Sequence, residues 1–300
     1  MKVTIIGSGI FGISIAGLIS ANKINVSIWT SRDDIDSISV PKDITITNDI
    51  EKALDGSNTI IVLTSSEKFK EALDNIKPYY KSELLLIGSK GLYNNDILYN
   101  EAVKLFPKEN VGILSGPTFA MDIKSLEPVG FTYSSIDKSN LKLVEKIFSK
   151  SSIKYSSDVI GVSLCSVLKN AYSIGSGILE GMGYGASTRS LYLCNVVKEL
   201  EDLFEKLKLD KETIYTYAGI GDLFQTASSS NSRNYTLGVF IGLGNIDAAK
   251  NFTSKNTIEG INTLKCFYKK YNNLSLDIFN TIYNIVINDA KKEELINLLL

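Results

Sequence analysis

The 300-residue chain contains no histidine and only three cysteines. The absence of histidine excludes a histidine general base, a Ser-His triad and a histidine-ligated zinc, so any proton transfer falls to Lys, Asp, Glu, Tyr or Cys. Cys165, Cys194 and Cys266 are odd in number and far apart, which favours reduced thiols in a cytoplasmic protein over a disulfide framework. We expect no metal site.

Long apolar runs and an excess of either charge are also missing. No apolar run reaches the length of a transmembrane helix, and the first strand-like run begins at Val3, which predicts that no signal peptide precedes the fold. The formal net charge is −1, so the composition gives no reason to expect nucleic-acid binding. With 44% apolar and 22% charged residues, the composition is typical of a soluble globular protein.

The most informative segment is residues 7–12, Gly-Ser-Gly-Ile-Phe-Gly, directly after the apolar run 3–6. In this pattern Gly7 permits a tight turn, Gly9 lets a pyrophosphate approach the backbone, and Gly12 lets a helix pack closely on the strand. A helical pattern over 13–21 and an apolar run over 25–29 complete a βαβ unit. The segment therefore predicts a dinucleotide site, with a glycine turn that binds nothing as the alternative.

Alternating strand-like and helical patterns fill the first half of the chain, which predicts a mainly parallel, doubly wound sheet covered by helices. From about Gly161 the strand-like runs largely disappear. We therefore predict an α/β protein with a Rossmann-type dinucleotide-binding domain over 1–155 and an all-helical substrate domain over 156–300. Strand-like runs lie at 3–6, 25–29, 44–47, 59–63, 84–87, 111–114, 129–133 and 153–155, and the later helical runs at 162–174, 188–207, 223–228, 245–252, 257–271 and 276–288.

Three further loops follow predicted strands and carry polar residues: 64–66 (Thr-Ser-Ser), 89–91 (Ser-Lys-Gly) and 115–118 (Ser-Gly-Pro-Thr). Ligands bind at the carboxyl ends of the strands in an open doubly wound sheet. We therefore expect these loops and residues 7–12 to line one crevice. Such residues are common in βα loops in any case, but Lys90 places a cation where an anion would bind.

The end of the second strand bears on the choice between NAD and NADP. An acidic residue there accepts hydrogen bonds from the ribose of NAD, whereas an arginine nearby holds the 2′-phosphate of NADP. After Trp29 the chain reads Thr-Ser-Arg-Asp-Asp, so Ser31 and Arg32 can donate to a phosphate and we favour NADP(H). The alternative is that Arg32 pairs with Asp33 or Asp34 and that NAD(H) binds.

The helical half carries Lys169, Asp222 and the tetrapeptide 231–234, Asn-Ser-Arg-Asn. Lys169 lies in a helix of otherwise apolar and small residues, where it must reach solvent, pair with an acid, or lose its charge because burial lowers the pKa of a lysine. Such a lysine can act as a base in a chain without histidine, and a surface lysine is the alternative. Arg233 can hold a phosphate bidentately, although the tetrapeptide also fits a helix cap or turn.

Eight segments, read in order along almost the whole chain, resemble those of the bacterial-type NAD(P)-dependent glycerol-3-phosphate dehydrogenase family. The resemblance implies the reversible reduction of dihydroxyacetone phosphate to sn-glycerol 3-phosphate, which supplies a phospholipid precursor. The chain departs from the family pattern at 121–122 and 165–167, and it is shorter than many relatives. The segments are residues 7–12, 89–92, 114–120, 168–170, 177–186, 219–223, 231–234 and 258–260.

The resemblance also implies a role for each matching residue. Lys169 would be the catalytic proton donor and acceptor, Lys90 a catalytic residue in contact with substrate and cofactor, and Asp222 would position Lys169 or the substrate hydroxyls. We expect the protein to form a homodimer. Its small-molecule partner would be the phosphate-bearing substrate, dihydroxyacetone phosphate or glycerol 3-phosphate. The implied contacts are Gly7, Gly9, Ile10, Phe11, Gly12, Ser31, Arg32, Lys90, Ala120, Arg233 and Glu259 for the cofactor, and Lys90, Gly116, Thr118, Lys169, Asp222, Ser232, Arg233 and Asn234 for the substrate.

Two other interpretations stay open at this point. The first is a ketopantoate or β-hydroxyacid-type NADP reductase, which also uses a lysine on a helix after a Rossmann domain. Its substrates carry carboxylates, and residues 219–222 and 232–234 argue against it. The second is a non-catalytic NADP-binding or regulatory protein, and the presence of Lys90, Lys169, Asp222 and Arg233 together argues against it.

Overall fold

The computed structural model describes residues 1–299 and divides into two compact units. The first comprises Met1–Tyr93 and Ile97–Val159, and the second Asn94–Asp96 and Ile160–Leu300. The division into functional domains after residue 155 stays a prediction.

The first unit is built on a sheet whose strands coincide with the predicted runs to within one residue at each end. In order along the sheet, the strands are β10-β9-β8-β5-β4-β1-β2-β3, where the labels follow the chain. Two short strands, β6 and β7, form a separate two-stranded sheet. The strands are Lys2–Ile6 (β1), Asn25–Trp29 (β2), Ile44–Thr47 (β3), Thr59–Val62 (β4), Leu84–Ile87 (β5), Leu92–Tyr93 (β6), Asp96–Ile97 (β7), Val111–Ser115 (β8), Gly130–Ser134 (β9) and Ser152–Ser156 (β10).

Neighbouring strands of the large sheet are parallel, except that β9 runs antiparallel to β8. The central strands are buried on both faces, which explains why β1, β4 and β5 are continuous apolar runs. In the middle of the sheet Ile5 lies between Ile28 and Ile61, and all three are fully buried. The predicted fold class is confirmed.

Strand order places the predicted loops together. The chain runs from β1 outward through β2 to β3, then returns to β4 and continues outward through β5 to β8, so the order of strands reverses between β1 and β4. This reversal is the point at which open doubly wound sheets bind ligands. The loops after β1, β4, β5 and β8 leave the same edge of four adjacent parallel strands.

Helices surround this sheet in the first unit and make up most of the second. Helix α1 begins at Ile10 rather than at residue 13, because Gly9 is its N-cap and Gly12 already lies in its first turn. The helices are Ile10–Ser20 (α1), Ile50–Leu54 (α2), Phe69–Ile76 (α3), Leu98–Ala102 (α4), Ala120–Lys124 (α5), Leu141–Ile147 (α6), Val159–Gly181 (α7), Ala186–Leu207 (α8), Asp222–Ala227 (α9), Arg233–Gly242 (α10), Ile246–Lys255 (α11), Glu259–Tyr271 (α12), Asp277–Ile287 (α13) and Glu293–Asn297 (α14).

Helix α10, which the sequence pattern did not predict, packs on α7 through glycines. A Cβ atom on Gly177 would lie 2.1 Å from the carbonyl oxygen of Tyr235, and one on Gly238 would lie 2.1 Å from that of Ile174. The two backbones therefore meet directly, and no side chain fits between them. This contact fixes the start of α10 relative to Lys169, which also lies on α7.

A buried carboxylate joins three helices of the second unit, α7, α8 and α13. Glu199 of α8 accepts hydrogen bonds from the backbone N–H groups of Ile278 and Phe279 in the first turn of α13, at 2.8 and 3.0 Å. It also accepts one from the hydroxyl of Tyr172 on α7, at 2.9 Å. Burial raises the pKa of Glu199, although these three hydrogen bonds act in the opposite direction.

Candidate functional site

The loop at residues 7–12 has the backbone geometry that a pyrophosphate site requires. Gly7 has φ of +121°, and a Cβ there would lie 2.8 Å from the carbonyl oxygen of Leu63. A Cβ on Gly12 would lie 2.2 Å from the Gly7 carbonyl oxygen, so both positions require glycine. A Cβ on Gly9 would meet nothing within 4 Å, which leaves open space in front of the first turn of α1. The first N–H groups of that helix lack partners within it and bind anions well.

The side chains next to this loop lie as follows. Ile10 is 73% exposed at the start of α1, and Phe11 beside it is half-buried. The hydroxyl of Ser8 is hydrogen-bonded to that of the buried Thr30 at the end of β2, at 2.7 Å. This bond ties the glycine loop to the end of β2. Ala120 is the first residue of α5, which packs against α1.

Arg32 pairs with an acidic neighbour. Its Nε donates to Oδ1 of Asp34 at 2.8 Å and its Nη2 to Oδ2 at 2.5 Å, and both side chains are more than half exposed. Ser31 next to it is also exposed. An Arg32–Asp34 pair is the arrangement expected for the alternative in which NAD(H) binds. An exposed ion pair contributes little to stability, however, so it leaves Arg32 able to turn to a phosphate.

Two predicted site residues in the first unit, Lys90 and Thr118, donate to the backbone carbonyl group of a third, Gly116. The Nζ of Lys90, after β5, donates to the oxygen of Gly116 at 3.2 Å. The hydroxyl of the buried Thr118 donates to the same oxygen at 3.1 Å. A Cβ on Gly116 would lie 2.2 Å from the carbonyl oxygen of Gly130, so this loop packs against β9 without a side chain. The half-buried Lys90 is therefore held at the edge of the sheet where β5 ends.

In the second unit Lys169 forms a buried ion pair. Its Nζ lies 2.5 Å from Oδ1 of Asp222, and the two side chains are 8% and 1% exposed. The ammonium group also donates to the hydroxyl of Thr226 at 2.8 Å, and this hydroxyl donates to Asp222 at 3.3 Å. Of the three outcomes open to a lysine at position 169, pairing with an acid is the one observed.

Local structure places the two acceptors on one face. Asp222 and Thr226 are the first and fifth residues of α9, and residues four apart lie on the same face of a helix. A π-helical turn, Tyr217–Gly221, precedes α9, and its Gly219 has a non-helical backbone with a virtual Cβ only 2.0 Å from the Ile214 carbonyl oxygen. This sharp turn directs Asp222 toward α7.

The tetrapeptide 231–234 is the start of a helix. Ser232 is the N-cap of α10, and its hydroxyl accepts from the N–H of Tyr235 at 3.3 Å. Of the three arginines, Arg32 and Arg189 pair with acids, whereas Arg233 makes neither an ion pair nor a hydrogen bond to residues within 1–299. Arg233 is exposed at the first position of α10, so both its charge and the helix dipole are available to an anion.

Asn234 and Glu259 lie at neighbouring helix starts. The side chain of Asn234 donates to Asn170 at 3.0 Å and accepts from the backbone N–H of Gly260 at 2.9 Å. Glu259 is half-buried and precedes that glycine at the first position of α12. Asn234, predicted as a substrate contact, thus uses its oxygen and one N–H to join helices.

Sequence reasoning missed Thr226 and Asn170. The signal for Thr226 was its spacing of four residues from Asp222 in a short helix. The signal for Asn170 was its place next to Lys169 in a helix with few other polar side chains. Within residues 1–299 no group of three or more Cys, Asp and Glu side chains is arranged to hold a metal, and no helix is long and apolar enough to cross a membrane.

Comparison with known families matches both halves of the chain. The N-terminal model of NAD-dependent glycerol-3-phosphate dehydrogenase matches residues 2–141, and the C-terminal model matches residues 158–297. The chain belongs to the NAD-dependent glycerol-3-phosphate dehydrogenase family. The family predicted from the eight segments is thereby confirmed.

Individual members of the family match over nearly full length. A glycerol-3-phosphate dehydrogenase [NAD(P)+] of Carboxydothermus hydrogenoformans is 30% identical, with 98% of each chain aligned. The crystal structure of a glycerol-3-phosphate dehydrogenase from Coxiella burnetii superposes with a TM-score of 0.90 at 21% identity, covering 99% of this chain and 98% of that one. A ketopantoate reductase from Ralstonia eutropha shares only the fold, with a TM-score of 0.62 at 15% identity over 95% and 97% of the two chains.

Proposed function

We propose that this glycerol-3-phosphate dehydrogenase family member reduces dihydroxyacetone phosphate reversibly to sn-glycerol 3-phosphate, with Lys169 as the proton donor. The observation that carries the proposal is the buried Lys169–Asp222–Thr226 cluster, with Arg233, which pairs with no acid among residues 1–299, in the same unit. Lys169 would supply the proton, and Arg233 would supply a site for the phosphate. The relatives named above carry this activity in their names, which supports the proposal.

The cofactor fits the first unit. The open space at Gly9, the unpaired N–H groups of α1 and the cation of Lys90 suit a dinucleotide diphosphate. When bound, the nicotinamide supplies the hydride that is transferred to C2 of the substrate. Ser31 and Arg32 would hold the 2′-phosphate of NADPH once Arg32 leaves Asp34, so we propose a preference for NADP(H) over NAD(H).

The proton on the new hydroxyl would come from Lys169. As hydride arrives at C2, negative charge develops on the carbonyl oxygen, and a nearby ammonium group stabilises it and gives up a proton. Asp222 and Thr226 hold the Nζ of Lys169 in one place, so the group need not be ordered during the reaction. In the reverse direction the neutral amine takes the proton back.

The substrate phosphate would bind at the start of α10. Arg233 offers a planar pair of donors, and the N-terminal end of the helix adds a positive dipole. By the family resemblance, Lys90, Gly116 and Thr118 are further proposed substrate contacts. Because Arg233 would bind the phosphate and Lys169 would donate the proton, we expect the phosphate group to contribute more to binding than to the chemical step.

The test compares substrates that differ only in the phosphate. Purified protein with NADPH should turn over dihydroxyacetone phosphate and lose most of kcat/KM with dihydroxyacetone. Arg233→Ala should raise KM for dihydroxyacetone phosphate while leaving activity on dihydroxyacetone nearly unchanged. Turnover of ketopantoate in place of dihydroxyacetone phosphate, or equal kcat/KM for the two ketones, would refute the proposed substrate class.

A further inference from the structure

Two buried asparagines connect three helices of the second unit. Asn234, in the first turn of α10, accepts a hydrogen bond from the backbone N–H of Gly260 in the first turn of α12, at 2.9 Å. It donates to Oδ1 of Asn170 on α7, at 3.0 Å. Asn234 is only 8% exposed, and Asn170 is only 5% exposed. These hydrogen bonds join the starts of α10 and α12 to the helix that carries Lys169.

The direction of both hydrogen bonds is set by the backbone. A backbone N–H can only donate, so Asn234 must turn its oxygen toward Gly260 and its amide nitrogen toward Asn170. Asn170 must then present its oxygen, because two amide nitrogens facing each other would leave both without an acceptor. Asn170 is therefore required as an acceptor, a property that asparagine and aspartate share and leucine lacks.

Packing at Gly260 leaves little freedom for this connection. A Cβ on Gly260 would lie 2.7 Å from Oδ1 of Asn234 and 2.8 Å from the backbone oxygen of Asn170. The start of α12 thus rests on the backbone of α7 as well as on Asn234. Losing the hydrogen bond to Asn170 would leave a buried amide group of Asn234 without its acceptor.

We propose that Asn170 is a positioning residue, which acts as a hydrogen-bond acceptor to hold Asn234 and thereby keeps Arg233 at a fixed distance from Lys169. The proposal rests on the proposed function, in which Arg233 binds the substrate phosphate and Lys169 donates the proton. Phosphate and carbonyl belong to one small molecule, so the groups that bind them must keep a matching spacing. The two hydrogen bonds, from Gly260 to Asn234 and from Asn234 to Asn170, supply that constraint in addition to the glycine contact between α7 and α10.

A first experiment tests the connection without any ligand. Amide hydrogen exchange at Gly260 is compared in the wild type, Asn170→Leu and Asn170→Asp, with Ser173→Ala as the control. Ser173 is fully buried one turn further along α7, and its hydroxyl donates to the backbone oxygens of Lys169 and Asn170, so Ser173→Ala changes a buried polar group beside Asn170 without removing the side-chain acceptor. Asn170→Leu should exchange roughly tenfold faster at Gly260. Asn170→Asp and Ser173→Ala should stay close to the wild type.

Unchanged exchange in Asn170→Leu would overturn the proposal, as would equal acceleration in Asn170→Asp or Ser173→Ala. These outcomes do not depend on which reaction the enzyme catalyses. If the wild type fails to turn over dihydroxyacetone phosphate, the proposed function fails, and the exchange experiment still decides whether Asn170 holds Asn234.

A second experiment tests the consequence for Arg233. Asn170→Leu should raise KM for dihydroxyacetone phosphate roughly fivefold or more in the wild-type background and leave KM nearly unchanged in Arg233→Ala, because the group that Asn170 positions is then absent. Ser173→Ala should leave KM unchanged. Additive effects of Asn170→Leu and Arg233→Ala on KM, or no effect of Asn170→Leu, would overturn the positioning role.

Discussion

The buried ion pair between Lys169 and Asp222 leads to a prediction about stability and activity together. Removing one partner leaves a charge in a site where the side chains are 8% and 1% exposed. We consider Lys169→Met and Asp222→Leu, which remove the charges and keep apolar bulk. In a third variant both are combined with Thr226→Val, so that the hydroxyl between them is not left without partners.

The magnitude follows from the cost of a buried unpaired charge. Breaking a buried pair on one side typically destabilises a protein by about 3–5 kcal/mol, whereas replacing the whole pair by apolar residues is often neutral or stabilising by about 1–4 kcal/mol. Each single variant should therefore lower the free energy of unfolding of the second unit by about 3 kcal/mol or more. The triple variant should return to the wild-type value or exceed it.

The assay is urea unfolding followed by circular dichroism, together with turnover of dihydroxyacetone phosphate. The triple variant should be stable and inactive, because it keeps the packing and lacks the proton donor. Single variants with losses below about 1 kcal/mol would show that the site is more hydrated than its burial indicates. A triple variant that keeps substantial kcat would remove Lys169 from the catalytic step.

Three further results are expected. Gly238→Ala should destabilise the protein by about 1–3 kcal/mol in thermal unfolding, because the new Cβ would lie 2.1 Å from a carbonyl oxygen. Gly17→Ala inside α1, whose Cβ would meet nothing within 4 Å, should be neutral or stabilising. Equal effects of the two substitutions would contradict the close contact between α7 and α10. Arg32→Ala should raise Kd for NADPH more than Kd for NADH in fluorescence titrations, and equal changes would refute the NADP(H) preference. Burial raises the pKa of Glu199 above 4.5, so the folded state binds this proton more tightly than the unfolded state and stability falls as pH rises past that value. The free energy of unfolding of the wild type minus that of Glu199→Gln should therefore decrease from about pH 4 to pH 7. A difference that stays constant would contradict the raised pKa.

The parts of the fold with strong local signals were predictable. Central strands such as β4 and β5 read as uninterrupted apolar runs between polar turns, because both of their faces are buried. Helix α10 was not predictable in the same way. Two of the residues that face α7, Gly238 and Gly242, have no side chains that could contribute to an apolar period, and only the packed structure reveals the contact.

The sequence identified which residues of the candidate site carry useful chemistry, but the residues around them did not show which of them contact one another. Lys169 stood out because it lies among apolar residues, yet nothing near it in the chain identifies Asp222, 53 positions away, as its partner. Asn234 was predicted to bind substrate because of its chemistry, whereas the structure gives its oxygen and one N–H to Gly260 and Asn170. Pairings between distant helices depend on tertiary packing, which a single sequence does not display.

The central claim is that this chain couples oxidation of a nicotinamide cofactor to reduction of dihydroxyacetone phosphate. The most direct measurement follows NADPH and NADH oxidation by the purified protein with this substrate and quantifies sn-glycerol 3-phosphate at the end. We predict one molecule of sn-glycerol 3-phosphate for each cofactor oxidised, with higher kcat/KM for NADPH, and loss of both signals in Lys169→Met. Absence of substrate-dependent oxidation with either cofactor would contradict the account.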